Sequence, residues 1–137
     1  CFLKLLTESS YMQKSQKTLL LIEDDDIIIK LLSKRIEKSG YLVTIARNGK
    51  EGIKAMQEHK PDLILLDMLM PVLDGFGVLE YMKNAGLLPN LPVIIISNSG
   101  QPVEIERALK LGVRDYLVKL NFNPNELIEK IKRILEN

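Results

Sequence analysis

Three carboxylates stand where apolar runs end. Asp67 closes Leu63-Ile64-Leu65-Leu66, and Glu23-Asp24 closes Thr18-Leu19-Leu20-Leu21-Ile22. A carboxylate at the end of a buried segment is costly unless a cation offsets it. If the two runs are parallel neighbours, the acids meet at one sheet edge and repel one another. Such a cluster calls for a divalent metal. Two more polar residues close apolar runs: Ser97 after Val93-Ile94-Ile95-Ile96, and Lys119 after Tyr116-Leu117-Val118. A hard cation such as Mg²⁺ takes carboxylate and carbonyl oxygens plus waters. A lysine facing an aspartate can grip a phosphoryl oxygen, and a hydroxyl on the next strand can donate to the same group. The set suits phosphoryl transfer to a carboxylate, with an aspartate nucleophile, a bridging metal and a fixed cation.

The elements that must position these groups are legible as an alternation. Apolar runs at 18–23, 41–46, 62–67, 93–97 and 113–118 are aliphatic and β-branched, as in strands covered on both faces. Helical patterns lie between them. Asp26 to Ser39 carries Ile28, Leu31, Leu32, Arg35 and Ile36 near one face, with Asp26 as the expected N-cap and Gly40 as the stop. Lys50 to His59 turns Ile53 and Met56 inward. Leu73 to Ala85 does so with Val78, Leu79 and Met82, and Pro102 to Leu111 with Ile105, Ala108 and Leu109. Pro124 opens a last helix, where Leu127, Ile128, Ile131, Ile134 and Leu135 recur at helical spacing.

Five β-α units with short connections predict a parallel sheet with right-handed crossovers. The expected class is α/β: a flavodoxin-like, doubly wound, five-stranded parallel sheet of order 2-1-3-4-5 with five helices. Ligands of such sheets bind beyond the carboxyl ends of strands 1 and 3. Glu23, Asp24 and Asp67 fall there.

Bulk properties agree with one globular domain. The chain has 137 residues, 46% hydrophobic and 27% charged, with a net charge of +1. That balance gives no steering toward nucleic acid or membrane. The single cysteine, Cys1, excludes an internal disulfide and fits a reducing compartment. No apolar run approaches the ~18 residues of a membrane helix. Residues 1–16 read as an extension, linker or tag remnant before a domain at 17–137, and a first residue other than Met points to processing or a fragment.

Four segments in register carry a family resemblance: LLLIEDDD at 19–26, LILLDMLMPVLDG at 63–75, VIIISNSG at 93–100 and GVRDYLVK at 112–119. Over residues 17–137 the chain resembles a two-component response regulator receiver domain of the chemotaxis-regulator kind. The resemblance implies that Asp67 accepts a phosphoryl group from the phosphohistidine of a sensor kinase or phosphotransfer protein. It implies that Glu23, Asp24, Asp67 and the backbone carbonyl of Leu69 hold Mg²⁺, Asp24 directly and Glu23 through water. Ser97 matches the switch hydroxyl, Lys119 the phosphoryl-contacting lysine, and Tyr116 the aromatic that moves between exposed and inward positions. Output would leave through the face of helix 4, strand 5 and helix 5, which is also the family's usual homodimer surface. The implied role is a cytoplasmic signalling switch, catalysing only its own phosphorylation and dephosphorylation. Its implied partners are the phosphodonor and a downstream output protein or an output domain outside this chain, with no nucleic acid or membrane contact of its own.

A degenerate receiver, acting as an unphosphorylated protein-binding scaffold, is the alternative. Enzyme readings fit less well. A flavin site needs a hydroxyl- or glycine-rich loop after strand 1, where Glu23-Asp24-Asp25-Asp26 stands. An aspartate-based phosphatase usually needs an acid two residues after the nucleophile, where Leu69 stands.

Two positions depart from the family pattern. Leu120 follows Lys119 where receivers usually place a proline after a cis bond. A cis non-proline bond costs about 2.5–4 kcal/mol, so this bond is expected trans, with Leu120 to Asn123 rearranged or more mobile. Asn98 follows Ser97 where a small residue is usual, and crowds the mouth of the site. Met68 and Met70 read as packing, His59 as a solvated helix end, and Asp25 as a solvent contact.

Overall fold

Apolar runs covered on both sides pair into one parallel sheet in a computed structural model that describes residues 16–120 and 123–136. The strands are β1 (Thr18–Ile22), β2 (Leu42–Ala46), β3 (Leu63–Leu66), β4 (Val93–Ser97) and β5 (Asp115–Val118). Their order is β2-β1-β3-β4-β5, as the unit count predicts. β3 and β4 are buried throughout, and β1 is buried from Leu19 onward, which is why these runs show no polar alternation. The edge strands β2 and β5 are only partly covered. Strands 1, 2, 3 and 5 end or begin one or two residues inside the apolar runs. Tyr41 and Val113, outside the ladders, are still buried. The expected N-terminal extension lies outside the described residues except for Gln16.

Five helices follow the strands: α1 (Asp26–Lys38), α2 (Gly49–Glu58), α3 (Gly75–Asn84), α4 (Pro102–Leu111) and α5 (Pro124–Leu135). On one side of the sheet, Met56, Val78, Leu79, Met82 and Ala108 bring α2, α3 and α4 onto the core. On the other, Ile29, Leu32, Ile36, Leu127 and Ile131 seat α1 and α5. Among the described residues, no helix is long and apolar enough to cross a membrane.

Several local expectations are corrected. Asp25, rather than Asp26, caps α1: its Oδ1 accepts from the amides of Ile27 and Ile28 at 2.8 and 3.2 Å. A cap needs extended backbone, which Asp25 has, whereas Asp26 is already helical and pairs with Arg47. The inward face of α1 is Ile29, Leu32 and Ile36, and Leu31 is exposed. Consecutive aliphatics at 27–29 and 31–32 leave the phase of that helix open in the sequence. α3 starts at Gly75 rather than Leu73 because the Asp74 carboxylate accepts from the Gly77 amide. On α4, Ala108 is buried but Leu109 is exposed.

Candidate functional site

Register places the acids. Ile22 of β1 pairs with Leu66 of β3, so Glu23 and Asp67 emerge side by side past the ladder. Backbone bonds continue there, from the Asp67 amide to the Ile22 carbonyl and from the Glu23 amide to the Ala46 carbonyl, each at 2.9 Å. Glu23, Asp24 and Asp67 each present a carboxylate oxygen within 4.8 Å of the others. Glu23 and Asp67 are buried, at 2% and 5% exposure, whereas Asp24 is open to solvent. The Asp24 amide donates to Glu23 Oε2 at 3.1 Å, and the Leu69 amide to Asp67 Oδ1 at 3.4 Å.

Lys119 enters from β5. Its amide donates to the Ser97 carbonyl at 2.7 Å, which ties the ends of β4 and β5 together. Its Nζ lies 2.6 Å from Glu23 Oε1 and 3.4 Å from Asp67 Oδ1. Burial, then the hydrogen bond with Asp67, pushes the Glu23 carboxyl up to about 7, against the opposing pull of Lys119. For Lys119, burial alone favours the neutral amine. The hydrogen bond to Glu23 and the charges of Asp67 and Glu23 outweigh burial and raise its pKa. The pocket is therefore a hard-oxygen donor set with one fixed cation, a chemistry that fits Mg²⁺.

The loop after β3 is built around a close approach. The Gly75 amide donates to the Met68 carbonyl at 3.0 Å, and a Cβ on Gly75 would lie 2.7 Å from the Asp67 carbonyl oxygen. Only glycine lets the start of α3 sit against the backbone of Asp67. Met68 is buried in the core, as expected. Val72 has φ 70°, and the amide of Leu73 donates to the Pro71 carbonyl at 2.7 Å, which makes a tight three-residue turn.

Ser97 and Tyr116 meet through a residue that the sequence did not single out. Ser97 is fully buried at the end of β4, and its Oγ accepts from the Ser99 amide at 3.1 Å. The Tyr116 hydroxyl donates to the Ser99 carbonyl at 2.7 Å. The signal for Ser99 was its position two residues past a strand-end serine, the spacing of a hydroxyl-to-backbone turn. Asn98 is exposed beside it. His59 is exposed at the end of α2. The Lys119–Leu120 bond is trans, and Leu120 is 86% exposed. Residues 121–122, on which the expected rearrangement also falls, lie outside the described residues.

Comparison with known proteins agrees with the fold. The family model for the response regulator receiver domain matches residues 19–132. The chain is 37% identical over 122 residues to a probable transcriptional regulator, ycf27, of Cyanidium caldarium, covering 89% of this chain and 47% of the relative. It is 34% identical over 119 residues to the alkaline phosphatase synthesis transcriptional regulatory protein PhoP of Bacillus subtilis (strain 168), covering 87% and 48%. The chain thus spans about half the length of these curated relatives. Among solved structures, the receiver domain of Francisella response regulator 1452 superposes with a TM-score of 0.82 at 30% identity, covering 88% of this chain and 98% of that one. A CheY-like receiver domain protein from Methanospirillum hungatei JF-1 gives 0.80 at 30% identity, covering 88% and 94%.

Proposed function

Because the chain belongs to the response regulator receiver family, we propose that it is a phosphoacceptor switch in a histidine–aspartate relay, phosphorylated on Asp67. The observation that carries the reading is the grouping of Asp67 with Glu23, Asp24 and the Lys119 ammonium in one pocket. An Asp67 carboxylate oxygen attacks phosphorus, the phosphorus–nitrogen bond of the donor histidine breaks, and an aspartyl phosphate forms. Lys119 steadies the charge on the transferred group. Glu23, Asp24, Asp67 and the Leu69 carbonyl would hold Mg²⁺. When bound, the ion offsets the crowding of carboxylate and phosphoryl oxygens.

The donor is a protein of the sensor kinase or phosphotransfer kind. Ile27, Leu69 and Leu120 are exposed large aliphatics in the segments that follow β1, β3 and β5. Along α1, Ile27 and Leu31 are exposed among Lys30, Lys34, Arg35 and Lys38. A phosphohistidine-bearing helix can rest on that surface.

Phosphorylation adds charge and acceptor oxygens at Asp67, past the end of β3, the strand neighbouring the one that Ser97 closes. If the Ser97 hydroxyl turns to them, the Ser99 amide loses its acceptor. Ser99 also holds Tyr116, so both switch residues answer to one loop. The face of α4, β5 and α5 then changes for an output partner or a second copy of the chain. Phosphate biases an existing equilibrium, and moving it from 1:99 to 99:1 takes about 5.5 kcal/mol. Its relatives are named transcriptional regulators, and on this reading the chain supplies the cytoplasmic input half of such a protein.

Acetyl phosphate with Mg²⁺ tests the proposal. Wild type should acquire an acid-stable phosphoryl group that retards it in a phosphate-affinity gel, and Asp67→Asn should not. No modification of wild type, or equal modification of both, would favour the unphosphorylated scaffold.

A further inference from the structure

We infer that the groove between α3 and α4 docks an acidic, amphipathic segment of a partner protein. Lys83 near the end of α3 and Val103, Glu106, Arg107, Lys110 and Leu111 of α4 line a groove of about 450 Å³. Val103 is 78% exposed and, with Leu111, gives the groove an apolar part beside its charges. Three cations face one carboxylate there. That carboxylate, Glu106, is already paired with Lys110 at 3.1 Å. Among the described residues, Lys83 and Arg107 have no carboxylate partner. Arg107 instead lies over the Phe76 ring, 3.9 Å from its centroid. Stacking holds the guanidinium at the groove while leaving its donor edge free for a carboxylate.

The groove therefore offers apolar contact at Val103 and Leu111 beside fixed positive charge. The chemistry that complements both is a short stretch carrying aliphatic side chains next to Asp or Glu. A simple anion would leave the apolar part uncovered. A second copy would have to bring its own acidic stretch.

Its position links it to the site, a step that rests on the phosphoacceptor reading. Phe76 lies at the start of α3, directly after the Asp67 loop. α4 begins after Ser99, whose Oγ accepts from the amide of the N-cap Gln101 at 3.4 Å. Both walls of the groove thus hang from the two loops that flank Asp67 and Ser97.

Fluorescence anisotropy of a short labelled peptide of glutamate and leucine at helical spacing tests the inference. Wild type should bind it and should not bind the lysine-leucine counterpart. Lys83→Glu/Lys110→Glu should weaken binding about tenfold or more, roughly 1.4 kcal/mol. Lys50→Glu/Lys54→Glu, exposed on α2, should change it less than about twofold. Amide shifts should map to α3 and α4. Equal loss in both variants means unspecific charge attraction and overturns the inference. So does wild type that fails to bind, or binding that inorganic phosphate abolishes at matched ionic strength. Acetyl phosphate labelling of the Lys83→Glu/Lys110→Glu variant, expected unchanged, separates failure here from failure of the phosphoacceptor reading.

Discussion

Lys119 Nζ is closer to Glu23 Oε1, at 2.6 Å, than to Asp67 Oδ1, at 3.4 Å. The lysine leans on an acid of the proposed metal set and leaves Asp67, the proposed phosphoacceptor, the more weakly held partner. Glu23 still sits at about 7 in the fold, because burial and the bond to Asp67 outweigh the lysine. An unfolded glutamate titrates near ~4.3. Between those values the folded chain holds more protons than the unfolded one, so this group's contribution to stability falls as pH rises.

That sign gives the first prediction. Without divalent ions, the melting temperature should drop between about pH 5 and pH 8, and Glu23→Gln should flatten the slope. Mg²⁺ needs the ionised carboxylate, so its affinity should rise through about pH 7 and its binding should release protons. Calorimetry at pH 6.5 in two buffers of different ionisation enthalpy counts those protons. Zero release with a steep Glu23-independent slope would place the titration elsewhere.

Removing the lysine should expose the repulsion it screens. Lys119→Ala leaves buried Glu23 and Asp67 facing each other without a cation. Breaking a buried pair costs about 3–5 kcal/mol. The expected loss at neutral pH is toward the lower figure, because Glu23 can take up a proton. Added Mg²⁺ should recover more stability in this variant than in wild type, as read from urea midpoints. Equal gains would mean that the ion does not answer the same charges.

The Ser99 bridge makes a local prediction. Tyr116→Phe deletes the donor to the Ser99 carbonyl and should cost about 1 kcal/mol. Its NMR signature should reach the amide of Ser99 and, through Ser97 Oγ, the end of β4. Ser97→Ala should perturb the same amide from the other side. Changes confined to β5 in Tyr116→Phe would show that the two residues are not joined through Ser99.

What the sequence disclosed follows from which forces are periodic. Leu19–Ile22, Leu63–Leu66 and Val93–Ile96 are apolar at every position because both faces are covered, so strand count, order and the edge that gathers Glu23, Asp24 and Asp67 were readable. Details set by one hydrogen bond were not. Whether Asp25 or Asp26 caps α1 depends on a single backbone dihedral, and either acid suits the position chemically. The inward phase of α1 was hidden by five aliphatics within six residues. Ser99 carries no distinctive pattern, since its role is to present backbone groups to two distant side chains. That Lys119 prefers Glu23 over Asp67 is a matter of ångströms between elements far apart in the chain.

Val72 carries a cost that substitution can remove. Its φ of 70° lies in the left-handed region, where a β-branched side chain crowds its own backbone. Such conformations cost on the order of 1–3 kcal/mol and persist where surrounding structure enforces them. Here the enforcing contacts are those of the Asp67 loop: the Leu73 amide to the Pro71 carbonyl at 2.7 Å, and the Gly49 amide to the Leu73 carbonyl at 3.0 Å. Val72 is 74% exposed, so replacing it sacrifices little burial. Asparagine tolerates this backbone region, so Val72→Asn should stabilise the protein by about 1 kcal/mol. The urea midpoint should rise at constant slope. A lower midpoint would mean that the valine side chain contributes packing that outweighs the relief of its backbone.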